Sequence, residues 1–147
     1  MFDYNIINNP LTNINKNKID NVFSTISNII SKKQNWILNI VFIDNDSIKK
    51  LNKEYRKIDK VTDVLSFHYF TDFSKLSKED IAWEILLNYD KIKSQAKEQG
   101  HSQEKEFYIL LIHSILHILW YDHETDADYK IMNKFEKKIF KEVFEKE

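Results

Sequence analysis

The stretch FYILLIHSILHIL, residues 107–119, decides the fold. Its apolar residues would lie on nearly every side of a helix, whereas a surface helix keeps them on one stripe. We therefore predict a central helix that ends near Leu119. His113, Ser114 and His117 interrupt the apolar run, which is also shorter than the roughly 20 residues of a membrane span.

Periodicity on either side of this helix predicts the order β-α-β-α-β-β-α-α-α. Strands are predicted at residues 2–7, 36–43, 64–70 and 81–87, and a polar loop at residues 71–80. Helices are predicted at about residues 14–33, 48–55, 89–99 and 102–119, and from Asp126 or Asp128 onward. Residues 44–46, Asp-Asn-Asp, are expected to supply a turn and the N-cap of the second helix. Gly100 is the expected C-cap of the third helix, and Ser102 the expected N-cap of the fourth. In the last helix we expect the inward side chains to be Ile131, Met132, Phe135, Ile139, Phe140 and Val143. The fold class is α+β with mixed α/β character: one domain, residues 1–147, with a small mixed four-stranded sheet packed with helices.

Composition excludes several classes of protein. The chain has 147 residues, of which 42% are hydrophobic and 14% aromatic, too many for a disordered chain. It has no cysteine, so disulfides and thiolate metal sites are excluded. Its net charge is -1, so there is no chain-wide basic surface for nucleic acid, although a local one is possible. The first residues lack the pattern of a secretory signal, and we expect a cytoplasmic protein without a membrane partner.

Three of the five histidines fall within eleven residues: His113, His117 and His123. The first two are four residues apart, which places them on one helix face, about 40° apart and about 6 Å along the axis. A continuous helix would turn His123 about 240° away from His117. His123 therefore joins them only if the helix ends near Leu119 and the chain turns back.

A divalent metal would satisfy these imidazoles, because a buried polar group without a partner costs about 1–3 kcal/mol. Three imidazoles without a thiolate favour Zn²⁺, with Ni²⁺ or Cu²⁺ as alternatives, and leave a fourth position for water, as in catalytic sites. The alternative is an incidental pair of histidines on a helix. His68 and His101 are isolated in the sequence, and we expect both to be surface or strand residues.

The spacing His-x3-His-x5-His also occurs in metzincin peptidases, which have a glutamate after the first histidine and a glycine before the third. Ser114 and Trp120 occupy those positions here. Because serine cannot act as the carboxylate base, a peptidase of that class is disfavoured.

The segment from His113 to His123, HSILHILWYDH, resembles the signature His-Gly-x-Leu-His-Leu-x-Gly-Tyr-Asp-His of the bacterial YbeY endoribonuclease family, the rRNA maturation factors. A second segment from Tyr55 to Phe67, YRKIDKVTDVLSF, is similar to the family's Tyr-Arg-Gly-x-Asp-x-Pro-Thr-Asp/Asn-Val-Leu-Ser-Phe. The resemblance extends over about residues 44–144. Glycines or prolines of the family pattern are replaced at several positions: Lys57, Val61, His68, Trp83, Ser114 and Trp120.

The resemblance implies zinc held by His113, His117 and His123, with one metal ion per chain. It implies cleavage of single-stranded RNA, in maturation of the 16S rRNA 3′ end and in ribosome quality control. The implied partners are precursor 16S rRNA and the ribosome or its small subunit. Arg56 and His113 are the candidate catalytic residues.

Arg56 is the only arginine among 22 basic residues, and the family's essential arginine falls on it. A guanidinium binds phosphate in a planar, bidentate way that lysine cannot reproduce. The alternative is a surface ion pair with Asp59 or Asp63.

Three further residues have candidate roles. Thr62 and Ser66 either bind the RNA backbone or pair locally. Asp122 either orients a ligand histidine through its second ring nitrogen or is a turn residue.

Three functions remain open from the sequence. The first is a metal-dependent ribonuclease. The second is a metal-binding ribosome-assembly factor that acts mainly by docking, and the third is another zinc-dependent hydrolase.

Overall fold

Two apolar segments, residues 37–43 and 81–88, form the centre of a mixed sheet. The computed structural model describes residues 3–12, 14–29, 37–68, 81–119 and 126–144. The elements are β1 (Asp3–Ile7), α1 (Lys16–Ile29), β2 (Ile37–Ile43), α2 (Asn45–Arg56), β3 (Val64–His68), β4 (Ile81–Asn88), α3 (Tyr89–Gln99), α4 (Gln103–Leu119) and α5 (Asp126–Phe144). In this part of the chain the element order and the α+β class are those the sequence predicted.

The sheet has the strand order β1-β2-β4-β3. Strand β2 is parallel to both β1 and β4, whereas β3 is antiparallel to β4. Parallel neighbours need a crossover connection, and α1 and α2 lie in the connections that make them possible. The predicted loop at residues 71–80 lies outside the described residues.

The two faces of the sheet pack against different helices because side chains alternate along a strand. Leu38, Ile40 and Phe42 of β2 join the main core, which also contains side chains of α1, α4 and α5. Val41 and Ile43 point to the opposite face and pack on a smaller cluster of Ile48, Leu65 and Leu86. Helix α2 covers that second face through Ile48 and Leu51.

The helix ends follow local chemistry in the sequence. The Asp44 carboxylate caps α2 by accepting a hydrogen bond from the Ser47 amide at 2.8 Å. Gly100 ends α3 in the left-handed conformation, with φ of 69°. The Ser102 hydroxyl then caps α4 by accepting from the Lys105 amide at 3.1 Å. These three caps confirm the predictions made at the same positions.

Lys57 ends α2 with φ of 59° and ψ of 28°, a conformation that favours glycine. Glycine is the residue that the family pattern of the second segment has at this position. The replacement therefore changes the side chain while the backbone keeps a conformation suited to glycine.

Two other replacements of the family pattern are buried. Trp83 is 4% exposed and belongs to the main core. Ser114 is 1% exposed, and its hydroxyl donates to the Leu110 carbonyl at 2.7 Å, which satisfies a polar group that would otherwise be costly to bury.

Two sequence predictions about side chains were wrong. Ile131 is 49% exposed, because it precedes the buried Met132 by one position, about 100° round the helix. His101, predicted to be a surface or strand residue, is largely buried before the first turn of α4. Its Nε2 lies 3.1 Å from the buried Glu106 carboxylate, and its side chain is only 16% exposed.

Candidate active site

Helix α4 positions the two histidines at the edge of the core. Its ends are set by the Ser102 cap and by Leu119, and Glu104 and Glu106 stabilise its first turn through the helix dipole. Eight of its 17 side chains are buried in the main core. This confirms the prediction of a central helix.

His113 and His117 lie side by side, as the spacing predicted. Their ring centroids are 4.3 Å apart, and the rings meet edge to face at 71°. Both side chains are only partly exposed to solvent. The helix therefore presents two adjacent imidazoles at the edge of the core, where an ion or a phosphate group can reach them.

Glu136 of α5, a residue for which the sequence predicted no role, contacts His113. Its Oε1 lies against the Nδ1 of His113, in a contact between residues 23 positions apart. An Nδ1–H that donates to a carboxylate leaves Nε2 unprotonated and able to bind a metal. The carboxylate also fixes the orientation of the ring, since both side chains are partly buried.

Burial lowers the pKa of His117 below its ordinary value, and the neighbouring His113 lowers it further, while Glu136 acts in the opposite direction. The His117 imidazole is therefore held in its neutral form near pH 7. A neutral imidazole has the lone pair that a metal ligand needs.

The predicted third ligand, His123, lies outside the described residues, as do Asp122, Trp120 and the predicted turn after Leu119. Within the described ranges, no group of three His, Asp or Glu side chains is arranged to hold a metal ion. The two imidazoles nevertheless have the chemistry of a zinc site: nitrogen donors on one helix face, with a carboxylate behind one of them. Two of the three predicted ligands therefore lie side by side, and the zinc site itself stays a prediction.

Arg56 is the last residue of α2 and is exposed. The alternative interpretation paired it with Asp59 or Asp63, but Asp59 instead lies 4.0 Å from the Lys53 ammonium group. Within the described part of the chain, Arg56 has no carboxylate partner. The described carboxylates therefore leave its guanidinium without an ion pair.

Thr62 and Ser66 follow Arg56 along the chain. The Thr62 hydroxyl donates to the Val64 carbonyl at 3.2 Å, and the Thr62 carbonyl accepts from the Asn88 side chain at 3.1 Å. Local pairing is therefore observed for Thr62. Ser66 is exposed on β3. Their binding of RNA stays a prediction.

Residues 5–144 match the family described as Endoribonuclease YbeY. The chain belongs to the YbeY family. An endoribonuclease YbeY from Caldicellulosiruptor saccharolyticus is 40% identical over 128 residues, covering 82% of this chain and 80% of that protein. One from Clostridium botulinum strain 657 is 42% identical over 121 residues, covering 71% and 73%.

The fold also agrees with a solved structure. The solution structure of TM1509 from Thermotoga maritima superposes with a TM-score of 0.60 and 28% sequence identity, covering 96% of this chain and 89% of that one. YbeY membership confirms the resemblance seen in the two quoted segments.

Within the described residues, no helix is long and apolar enough to cross a membrane.

Proposed function

We propose that this YbeY-family chain is a zinc-dependent endoribonuclease that cleaves single-stranded RNA in maturation of the 16S rRNA 3′ end and in ribosome quality control. The family described as Endoribonuclease YbeY supports the class of reaction, a nuclease hydrolase that acts on RNA. The adjacent pair of His113 and His117 on α4 is the observation that supports metal dependence. The site of action is the cytoplasm, on precursor 16S rRNA associated with the small ribosomal subunit.

The metal would be held by His113, His117 and His123. When bound, zinc supplies Lewis-acid polarisation of a phosphate oxygen and a nucleophile at neutral pH. Glu136 orients the His113 ring so that Nε2 is free to bind the metal. Asp122 is the candidate for orienting another ligand histidine in the same way.

Arg56 binds the phosphate next to the bond that is cut. Its exposed guanidinium has no carboxylate partner in the described part of the chain, so binding an anion breaks no ion pair with those residues. The planar group can donate two parallel hydrogen bonds to phosphate oxygens and stabilise the charge that builds on them. Thr62 and Ser66 are candidates for further contacts with the RNA backbone.

The test compares His117→Ala and Arg56→Ala with the wild-type chain. Each protein is incubated with single-stranded and double-stranded RNA of the same sequence, and its zinc content is measured by elemental analysis. We expect about one zinc per wild-type chain, loss of both zinc and cleavage in His117→Ala, and loss of cleavage alone in Arg56→Ala. Lys50→Ala, a change of another exposed cation on α2, is the matched control and should keep both.

Other outcomes would favour the two remaining functions. A docking factor would bind small ribosomal subunits equally in all variants and cleave no RNA. Another zinc hydrolase, such as a peptidase, would retain zinc, leave RNA intact and cleave unfolded protein. Equal loss of zinc in both variants would contradict the separate roles given to His117 and Arg56.

A further inference from the structure

Three exposed apolar side chains lie close to Arg56 along the chain. Within the described residues, six large hydrophobic side chains are exposed, and three of them, Tyr55, Ile58 and Val61, fall in one segment of seven residues. We call these three the Tyr55 patch. Tyr55 is 62% exposed and is the one aromatic among the six. Exposed aromatic surface of this kind indicates a binding site more often than an isolated exposed aliphatic side chain does.

The Tyr55 ring is positioned by a contact with the Phe67 ring. It meets the Phe67 ring edge to face, with centroids 5.4 Å apart and an angle of 73°. Phe67 belongs to β3 and packs against the cluster of Ile48, Leu65 and Leu86. Because the ring is already positioned, a planar ligand that stacks on it loses little binding free energy to ordering the side chain.

The backbone beneath the patch is also fixed. The Ile58 amide donates to the Asn52 carbonyl at 3.3 Å, which closes the end of α2 after Lys57. The buried Asn52 side chain donates to the Lys60 carbonyl at 3.0 Å. These bonds hold residues 55–61 as a defined turn with its apolar side chains outward.

Positive charge surrounds the patch. Residues 45–61 contain six basic and three acidic residues, although the whole chain has a net charge of -1. Three of the basic residues lie in this turn and are exposed: Arg56, Lys57 and Lys60. Lys53, also exposed, precedes the turn on α2. Cations interleaved with an exposed aromatic ring suit a ligand that has both phosphates and flat bases.

We infer that an unpaired nucleobase of the RNA stacks on Tyr55 while its flanking phosphates contact Arg56 and the neighbouring lysines. This inference rests on the proposed function, since it takes RNA as the substrate. It also supplies a reason for a preference for single strands, because a base within a duplex is already stacked on both faces. Ile58 and Val61 extend the apolar surface beside the stacked base.

Binding without cleavage tests the inference. A fluorescently labelled single-stranded oligonucleotide is titrated with protein in the presence of a chelator and at fixed low salt, and binding is followed by anisotropy. We expect Tyr55→Ala to bind about tenfold more weakly than wild type and Tyr55→Phe to bind within about twofold of it. Ile131→Ala, which removes another exposed apolar side chain, is the control and should bind as wild type does.

A second oligonucleotide series identifies the contact as base stacking. Replacing successive nucleotides with abasic sites should weaken wild-type binding at one position, and the same replacement should have little further effect on Tyr55→Ala. Circular dichroism of each variant confirms that its fold is intact.

The outcomes separate this inference from the proposed function. If wild type binds and cleaves RNA but Tyr55→Ala binds equally well, the stacking site is wrong and the Tyr55 patch is better explained as a surface for a protein partner. If wild type neither binds nor cleaves single-stranded RNA, the proposed function itself is wrong.

Discussion

Glu136 is the residue that most changes the description of the site. It is 23 positions from His113, and nothing in the local sequence indicates that the two meet. The i, i+4 spacing of His113 and His117 is a property of one helix and could be predicted. The contact with Glu136 depends on how α5 packs on α4, which a local pattern does not give.

Replacing Glu136 tests its role behind His113. We expect Glu136→Ala to lower zinc affinity by about 10- to 100-fold, because the ligand ring loses the group that orients it. Glu136→Gln should lose less, since an amide oxygen can still accept from Nδ1–H. Zinc affinity is measured by competition with a chromogenic zinc chelator.

Glu142→Gln is the control for Glu136, as it changes another partly exposed glutamate of α5. It should bind zinc as wild type does. If Glu136→Ala binds zinc as tightly as wild type does, the Glu136 carboxylate does not orient a zinc ligand.

His101 shows a different limit of sequence reasoning. Its partner, Glu106, is only five residues away, but a turn separates them and no standard spacing pairs residues across that turn. Ile131 shows another limit. The periodicity identified the helix correctly, but the buried stripe of that helix is narrower than predicted, and Ile131 lies outside it.

At the scale of elements, caps were predictable because they depend on a few adjacent residues. Asp44, Gly100 and Ser102 all occupy the positions that the sequence indicated. The strand order β1-β2-β4-β3 was not predicted, because it depends on which apolar segments pair across the chain.

The end of α2 provides a test of backbone strain. Placing a residue other than glycine in the left-handed region costs about 1–2 kcal/mol of folding free energy. Glycine avoids this strain, but its more flexible unfolded state offsets part of the gain. We therefore expect Lys57→Gly to raise the free energy of unfolding by about 0.5–1 kcal/mol. Chemical denaturation followed by circular dichroism measures the change.

Lys50→Gly is the matched control for Lys57→Gly, because Lys50 lies inside α2 and is also exposed. Glycine there should lower the free energy of unfolding by about 0.5–1 kcal/mol. Effects of the same sign in both variants would show that residue 57 is not strained.

The Asp44 cap makes the stability of α2 depend on pH. The Ser47 amide and hydroxyl hold the pKa of the Asp44 carboxyl below its ordinary value of 3.8. The charged cap therefore stabilises the folded state above that value, and the stabilisation is lost as the pH falls through the lowered pKa.

A comparison with Asp44→Asn isolates this contribution, since asparagine still accepts a hydrogen bond but does not titrate. We expect wild type to be more stable than the variant at pH 7 and to lose this advantage progressively as the pH falls below 3.8 and through the lowered pKa. Urea denaturation of both proteins at a series of pH values from 7 downward measures it. A stability difference independent of pH would contradict the role of the charge.

At the scale of the whole molecule, one sheet separates two apolar clusters. The domain prediction, a single unit over residues 1–147, requires both clusters to unfold together. Leu111 belongs to the main core and Ile48 to the cluster beneath α2, and both are fully buried.

Truncating each cluster in turn tests that requirement. We expect Leu111→Ala and Ile48→Ala each to lower the free energy of unfolding by about 2–4 kcal/mol in a single transition. Fluorescence and circular dichroism should report the same midpoint. Two separate transitions in either variant would contradict the prediction of one domain.

The position of α4 in the chain has a consequence for synthesis. Strands β1 and β2 and helix α1 leave the ribosome before α4, yet their buried side chains pack against that helix, which is complete only at Leu119. A nascent chain that has not reached Tyr108 exposes the apolar face of β2 and lacks the hydroxyl to which the Asn15 amide donates. Stable folding of β1, α1 and β2 must therefore wait until α4 has emerged from the exit tunnel.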